Sequence, residues 1–108
     1  MQDHTRRAAL RVVIDKLEAT MREADQWETE PPPAHLLEST EPFCCDTLTF
    51  LQWVQWMMIP RMREILENYE ELPRTSAILP YAEEFVSGNS HGRELLRLIG
   101  RFDELISA

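Results

Sequence analysis

The sequence predicts an all-α fold, a small bundle of about four helices whose second is long and kinked at Pro60. Three observations carry this expectation. Apolar residues recur at helical spacing in long stretches near both ends of the chain. Proline and glycine clusters at 31–33, 73 and 88 punctuate the intervals between stretches. No run of useful length alternates apolar and polar residues as a half-buried strand would. With 108 residues, 44% hydrophobic and 28% charged, the chain reads as one helical domain over residues 1–108.

The first helix is expected from about Asp3 to Asp25, with Leu10, Val13, Ile14, Leu17, Met21 and Ala24 on one face. Arg7, Arg11, Asp15, Glu18, Arg22 and Glu23 occupy the remainder. Trp27-Glu28-Thr29-Glu30-Pro31-Pro32-Pro33 then stops it, because proline lacks an amide donor and disfavours helical geometry in the residue before it. This segment reads as an extended strut, followed by a short helical turn near Ala34 to Leu37. Trp27 is expected to close the end of the bundle.

A second helix is expected to begin near Asp46 or Thr47, either of which can accept the free amides of a first turn. Between Leu48 and Ile59 the apolar residues point in almost every direction, which places the helix at the centre of the protein or against a partner. Pro60 removes the amide that would bond the Trp56 carbonyl. The apolar line nevertheless continues through Met62, Ile65 and Leu66 to Tyr69, so the stretch reads as one kinked helix. Leu72-Pro73-Arg74-Thr75 is a connector. A short helix from Pro80 to about Val86 follows, with Tyr81 and Phe85 as its inward pair. Asn89 or Ser90 caps the last helix, whose stripe is Leu95, Leu98, Ile99, Phe102, Leu105 and Ile106.

Composition narrows the function. A formal net charge of -8 and a pI near 4.8 repel phosphate backbones, which argues against autonomous DNA binding. Charged residues recur through the first helix, so neither a signal peptide nor a membrane span is expected. The two cysteines are adjacent, a poor arrangement for a structural disulfide and for zinc, whose paired cysteines stand two to four apart. Cys44 and Cys45 therefore read as small apolar residues leading into the core. His4, His35 and His91 share no helix face, and no catalytic motif or phosphate-binding loop is present. Neither cofactor, metal nor catalytic residue is assigned.

The candidate site is a surface on the second helix formed by Trp53, Gln55, Trp56, Met57, Arg61 and Arg63. Aromatic rings and arginines together anchor protein interfaces or stack nucleobases. The rings can instead fill the core; any surplus would leave a patch for a protein partner or a second copy, giving a homodimer. A small-ligand- or RNA-binding module using Trp56, Arg61 and Arg63 is the alternative. Gln55, in the middle of an apolar line, needs polar partners.

Ser39-Thr40, Pro42-Phe43, Asp46-Thr47, Trp53, Gln55-Trp56 and Ile59-Pro60-Arg61-Met62 together resemble the signature of the YqcC-like family, small bacterial proteins of unknown function. Leu72-Pro73 and Pro80-Tyr81 fit its later part. The resemblance implies an all-α bundle in a cytoplasmic bacterial protein. Family genes often lie beside one for a tRNA pseudouridine synthase, which implies an accessory role to that enzyme. Gln55 belongs to the pattern, and the cysteine pair does not.

Overall fold

A computed structural model describes residues 3–86 and 88–108. Among the described residues, five α-helices run in the order α1 (Asp3–Glu23), α2 (Phe50–Trp53), α3 (Ile59–Glu67), α4 (Leu79–Phe85) and α5 (Ser90–Ser107), with short 3₁₀ helices at Ala34–Glu38 and Pro42–Cys44 between α1 and α2. A π-helical turn, Val54–Met58, joins α2 to α3, so residues 50–67 form one uninterrupted helical run. The result is a bundle of four helical units, with no strand among the described residues. The long helices α1 and α5 pack along each other, α3 lies against α1, and α4 rests on α5. The predicted stripe of α5 is buried throughout, as are Leu10, Val13, Ile14, Leu17 and Met21 of α1.

The wide turn accommodates Pro60. The amide of Ile59 reaches back five residues to the Val54 carbonyl, and this wider ring gives the proline room without ending the helix. Four expectations need correction. The second helix starts at Phe50, because Thr49 rather than Asp46 or Thr47 is its cap. The Thr49 hydroxyl accepts from the Gln52 amide, while the Gln52 side chain accepts from the Thr49 amide, a reciprocal box that satisfies two free donors. Thr47 instead donates to the Leu36 carbonyl, and Asp46 accepts from Ser39 Oγ. At the other end the helix stops at Glu67. Tyr69 turns left-handed (φ 52°) and is 77% exposed, and the Glu70 amide closes on the Ile65 carbonyl, an ending that satisfies orphaned carbonyls.

On α4 the residue facing inward is Ala82; Tyr81 is half-buried and Phe85 lies outside, 56% exposed. Of the cysteines only Cys44 enters the core, and Cys45 is exposed. Asn89 caps α5 by accepting from the Gly92 amide.

Long-range polar contacts tie these units together. Arg7 donates to the Glu70 carbonyl and Arg11 to the Leu66 carbonyl, both at 2.7 Å. α1 thus supplies donors to the carbonyl end of α3, where the helix dipole favours a cation. Asp103 of α5 does the opposite for α4. Its carboxylate accepts from the amides of Ile78 (3.0 Å) and Leu79 (2.8 Å) and from Ser76 Oγ.

Candidate functional site

The structure distributes the six candidate residues over three faces of the 50–67 run. Trp53, Met57 and Arg61 follow one another at four-residue spacing and share a face. They line an apolar groove of about 420 Å³ together with Met58, Met62 and Ile65. Pro73, Thr75, Ser76 and Ile78 of the connector line it from the other side, with Phe102 and Ile106 of α5. The volume lies within the ordinary range for binding pockets.

Trp53 is held from behind by an aromatic ladder. Its ring meets Phe43 edge-on at 4.9 Å, Phe43 stacks on Tyr81 at 4.4 Å, and Tyr81 reaches the exposed Phe85 at 4.8 Å. Phe43 and Cys44 both adopt left-handed backbone, φ 57° and 50°, at about 1–2 kcal/mol each for residues bearing Cβ. Ring contacts of roughly 0.5–1.5 kcal/mol apiece offset part of that strain and hold the turn against the helix.

Gln55 and Trp56 face away from the groove and hold residue 28. Gln55 is 3% exposed, and its amide pairs both ways with the Glu28 backbone. The Glu28 amide donates to Gln55 Oε1 at 2.9 Å, and Gln55 Nε2 donates to the Glu28 carbonyl at 2.7 Å. Trp56 Nε1 donates to the Glu28 carboxylate at 2.9 Å, and Gln52 Nε2 approaches the same group. The polar contact needed by a glutamine in an apolar line is therefore structural: it fastens the strand of chain leading to the prolines onto the helix. Trp27, next in sequence, packs on the core with Arg22 over its ring at 5.0 Å.

Arg63, two residues beyond Arg61 and so about 200° around the helix, turns towards α1. It donates to Glu18 at 2.7 Å and Asp15 at 3.1 Å. Partial burial alone would raise the Glu18 carboxyl, but the hydrogen bonds from Arg63 and Arg22 outweigh it and hold that carboxyl below its usual range. Arg61 stays exposed at the groove's edge and pairs with Glu64 (2.7 Å) and Glu70 (3.2 Å). Both arginines thus carry carboxylate partners, an arrangement poorly suited to gripping phosphates.

Periodicity placed Met58, Met62 and Ile65 in the core line. That they also line a groove depends on how the connector and α5 pack opposite them. Glu28 is not legible as a partner in the sequence, since a carboxylate beside a proline-rich segment carries no local signal of a buried partner. No helix among the described residues is long and apolar enough to cross a membrane.

Comparison with known proteins places this architecture. The DUF446 family, described as tRNA pseudouridine synthase C, matches residues 9–105. The uncharacterized protein YqcC of Escherichia coli is 38% identical over 87 residues, covering 81% of this chain and 80% of that protein. An uncharacterized protein of Haemophilus influenzae is 38% identical over 92 residues, 85% of this chain and 87% of that one. A protein named tRNA pseudouridine synthase C from Pectobacterium carotovorum is 35% identical over 71 residues, 66% of this chain but 19% of its own length. The solution NMR structure of YqcC from E. coli superposes with a TM-score of 0.80 at 36% identity, covering 95% of this chain and 89% of that one. With fold and sequence in agreement over most of its length, the chain belongs to the DUF446 family, that of the YqcC proteins.

Proposed function

We propose that this protein is a non-catalytic accessory subunit that associates with a tRNA pseudouridine synthase in the cytoplasm, using the groove of Trp53, Met57 and Arg61 as its contact surface. One observation carries the reading: a segment like this chain forms a minor part of a much longer protein named tRNA pseudouridine synthase C. A module found covalently joined to an enzyme in one organism and separate in another is suited to working beside that enzyme. When the two are joined, the effective concentration is high without a tight interface; when they are separate, the interface alone must supply the affinity.

The physical character of the surface supports the same reading. An apolar groove edged by Arg61, Thr75 and Ser76 resembles the anatomy of protein interfaces, an apolar centre with a polar edge. The net charge of -8 complements the basic surface that an RNA-modifying enzyme presents, and so favours encounter. RNA binding by the chain itself is disfavoured by that charge and by the pairing of Arg61 and Arg63 with carboxylates.

Light scattering of the protein mixed with the synthase from the same organism tests the proposal. A complex is expected, and Met57→Glu, at a half-buried groove position, should weaken it at least tenfold while leaving the helical circular dichroism intact. Two separate species at micromolar concentrations would overturn the partnership.

A further inference from the structure

We infer that the bundle end carrying Phe43, Tyr81 and Phe85 is a docking face for an arginine-rich segment of a protein partner. Its guanidinium groups stack on these rings and pair with the carboxylates around them. The charge of the chain is segregated. Residues 24–60 hold six carboxylates and residues 75–92 two more, with no lysine or arginine in either segment. The rest of the chain holds eleven residues of each sign, so the whole formal charge of -8 resides in these two segments. Every ion pair among the described residues lies in the neutral remainder. The fold brings the two segments together: Phe43 stacks on Tyr81 at 4.4 Å, and Phe50 meets the same ring at 5.6 Å. The carboxylates of that end therefore sum their potential without a paired cation.

Aromatic rings stand in this field. Phe85 is 56% exposed, and Phe43 and Tyr81 are half-buried. Glu83 and Glu84, both exposed, directly precede Phe85. Desolvation, then the neighbouring Cys45 and Glu84, raise the Tyr81 hydroxyl's pKa, so the Glu84 carboxylate stands beside the ladder. Exposed Glu41 and Asp46 flank Phe43 in the chain and meet at Ser39, whose Oγ donates to Asp46 and accepts from the Glu41 amide. Arg93, just beyond the second segment, donates to the Gly88 carbonyl at 2.8 Å.

These features choose the occupant. The carboxylates do not converge: among the described residues no three His, Cys, Asp or Glu side chains gather to hold a metal ion. Charge spread in this way suits several cations on one chain. The remainder of a second copy is neutral overall, and a nucleic acid would be repelled. Arginine fits better than lysine, because a planar guanidinium lies flat on a ring while donating two parallel hydrogen bonds to a carboxylate. Met57 and Arg61 are outside this ladder, so its occupant does not depend on what fills their groove.

The test uses the full chain labelled with ¹³C in its phenylalanine and tyrosine rings. Three peptides alternate glycine with arginine, with lysine or with glutamate. The arginine peptide should shift the ring signals of Phe43, Tyr81 and Phe85 but not that of Phe102, buried on α5. Its affinity should fall with added salt. The lysine peptide should bind at least about twofold more weakly, and the glutamate peptide should leave all rings in place. Phe85→Ala, at an exposed position, should weaken the arginine peptide by about twofold to fivefold, the effect of one exposed ring–cation contact. Glu83→Gln combined with Glu84→Gln keeps the side-chain shapes and should weaken it by about threefold to tenfold. Glu67→Gln combined with Glu71→Gln, at exposed positions in the neutral part, makes the same change in net charge and should leave binding unchanged. Equal weakening by the two glutamine pairs, or equal binding of the arginine and lysine peptides, would overturn the inference. So would the same ring shifts produced by magnesium chloride alone or by concentrating the protein.

Discussion

Gln55 offers the sharpest test of how the strut is held. Its amide is 3% exposed and makes two short hydrogen bonds to the Glu28 backbone. Gln55→Ala removes both. Each bond contributes roughly 0.5–1.5 kcal/mol net, and the amide and carbonyl of Glu28 lose the partner that replaced water. Losing the packing of a buried side chain adds to this, although Glu28 is itself exposed and water can reclaim part of the loss. The expected cost is about 2–3 kcal/mol, near the upper end of what an ordinary single substitution does. For a domain of this size that is roughly 8–15 °C in Tm. Gln55→Glu separates hydrogen bonding from packing, because the side chain keeps its shape. An ionised carboxylate can still accept from the Glu28 amide, but it faces the Glu28 carbonyl oxygen with no proton to give. Burial and the neighbouring Glu28 carboxylate both disfavour its charge, so its folded pKa must lie above its unfolded one. The variant should therefore be most nearly rescued below the unfolded pKa, where the protonated acid can donate, and should lose stability as pH rises through the folded value. Urea melts of wild type and both variants between pH 4 and 8 measure this. A Gln55→Ala midpoint within about 0.5 kcal/mol of wild type, or a Gln55→Glu deficit unaffected by pH relative to wild type, would refute the account of residue 55 as a buried clamp.

Asp103 should behave as a cap working across the fold. Asp103→Ala removes three acceptor contacts at the start of α4 and is expected to cost about 2–3 kcal/mol by thermal unfolding, with hydrogen exchange accelerated first in α4. Tyr69→Gly should do the reverse. The residue is left-handed and exposed, so relief of about 1–2 kcal/mol of strain outweighs the extra chain freedom of glycine, and urea melts should show a net gain of up to about 1 kcal/mol. The Glu18 carboxyl, held low by Arg63 and Arg22 despite its partial burial, contributes stability above its ordinary pKa of 4.5 that is lost as pH falls through the folded value. Arg63→Ala should therefore lower the urea midpoint at pH 7 more than at pH 3, by a difference of about 0.5–1 kcal/mol for partly exposed pairs.

Sequence alone determined the features that depend on near neighbours. The buried faces of α1 and α5, the cap on the last helix and the continuity of the chain through Pro60 all follow from periodicity or the geometry of one residue and the next few, whereas α1 ends at Glu23 in a left-handed turn at Asp25, ahead of the prolines expected to stop it. Differences arise where several local options compete. Asp46, Thr47 and Thr49 can each cap a helix, and only Thr49 has Gln52 placed to complete the exchange. Tyr69 fits the helical line, but the chain ends the helix with a left-handed turn there so that Glu70 can close on Ile65. The candidate surface shows the larger gap. Trp53, Gln55, Trp56, Met57, Arg61 and Arg63 sit close together in sequence, yet a helix sends them to different faces. What lies opposite each face comes from chain far away: Glu28 for Gln55 and Trp56, Asp15 and Glu18 for Arg63, the 73–78 connector and α5 for Trp53, Met57 and Arg61. Helical propensity and spacing act over one or two turns, whereas these pairings arise from the packing of whole helices. Tertiary structure alone therefore decided which of the six residues brace the fold and which border an open groove.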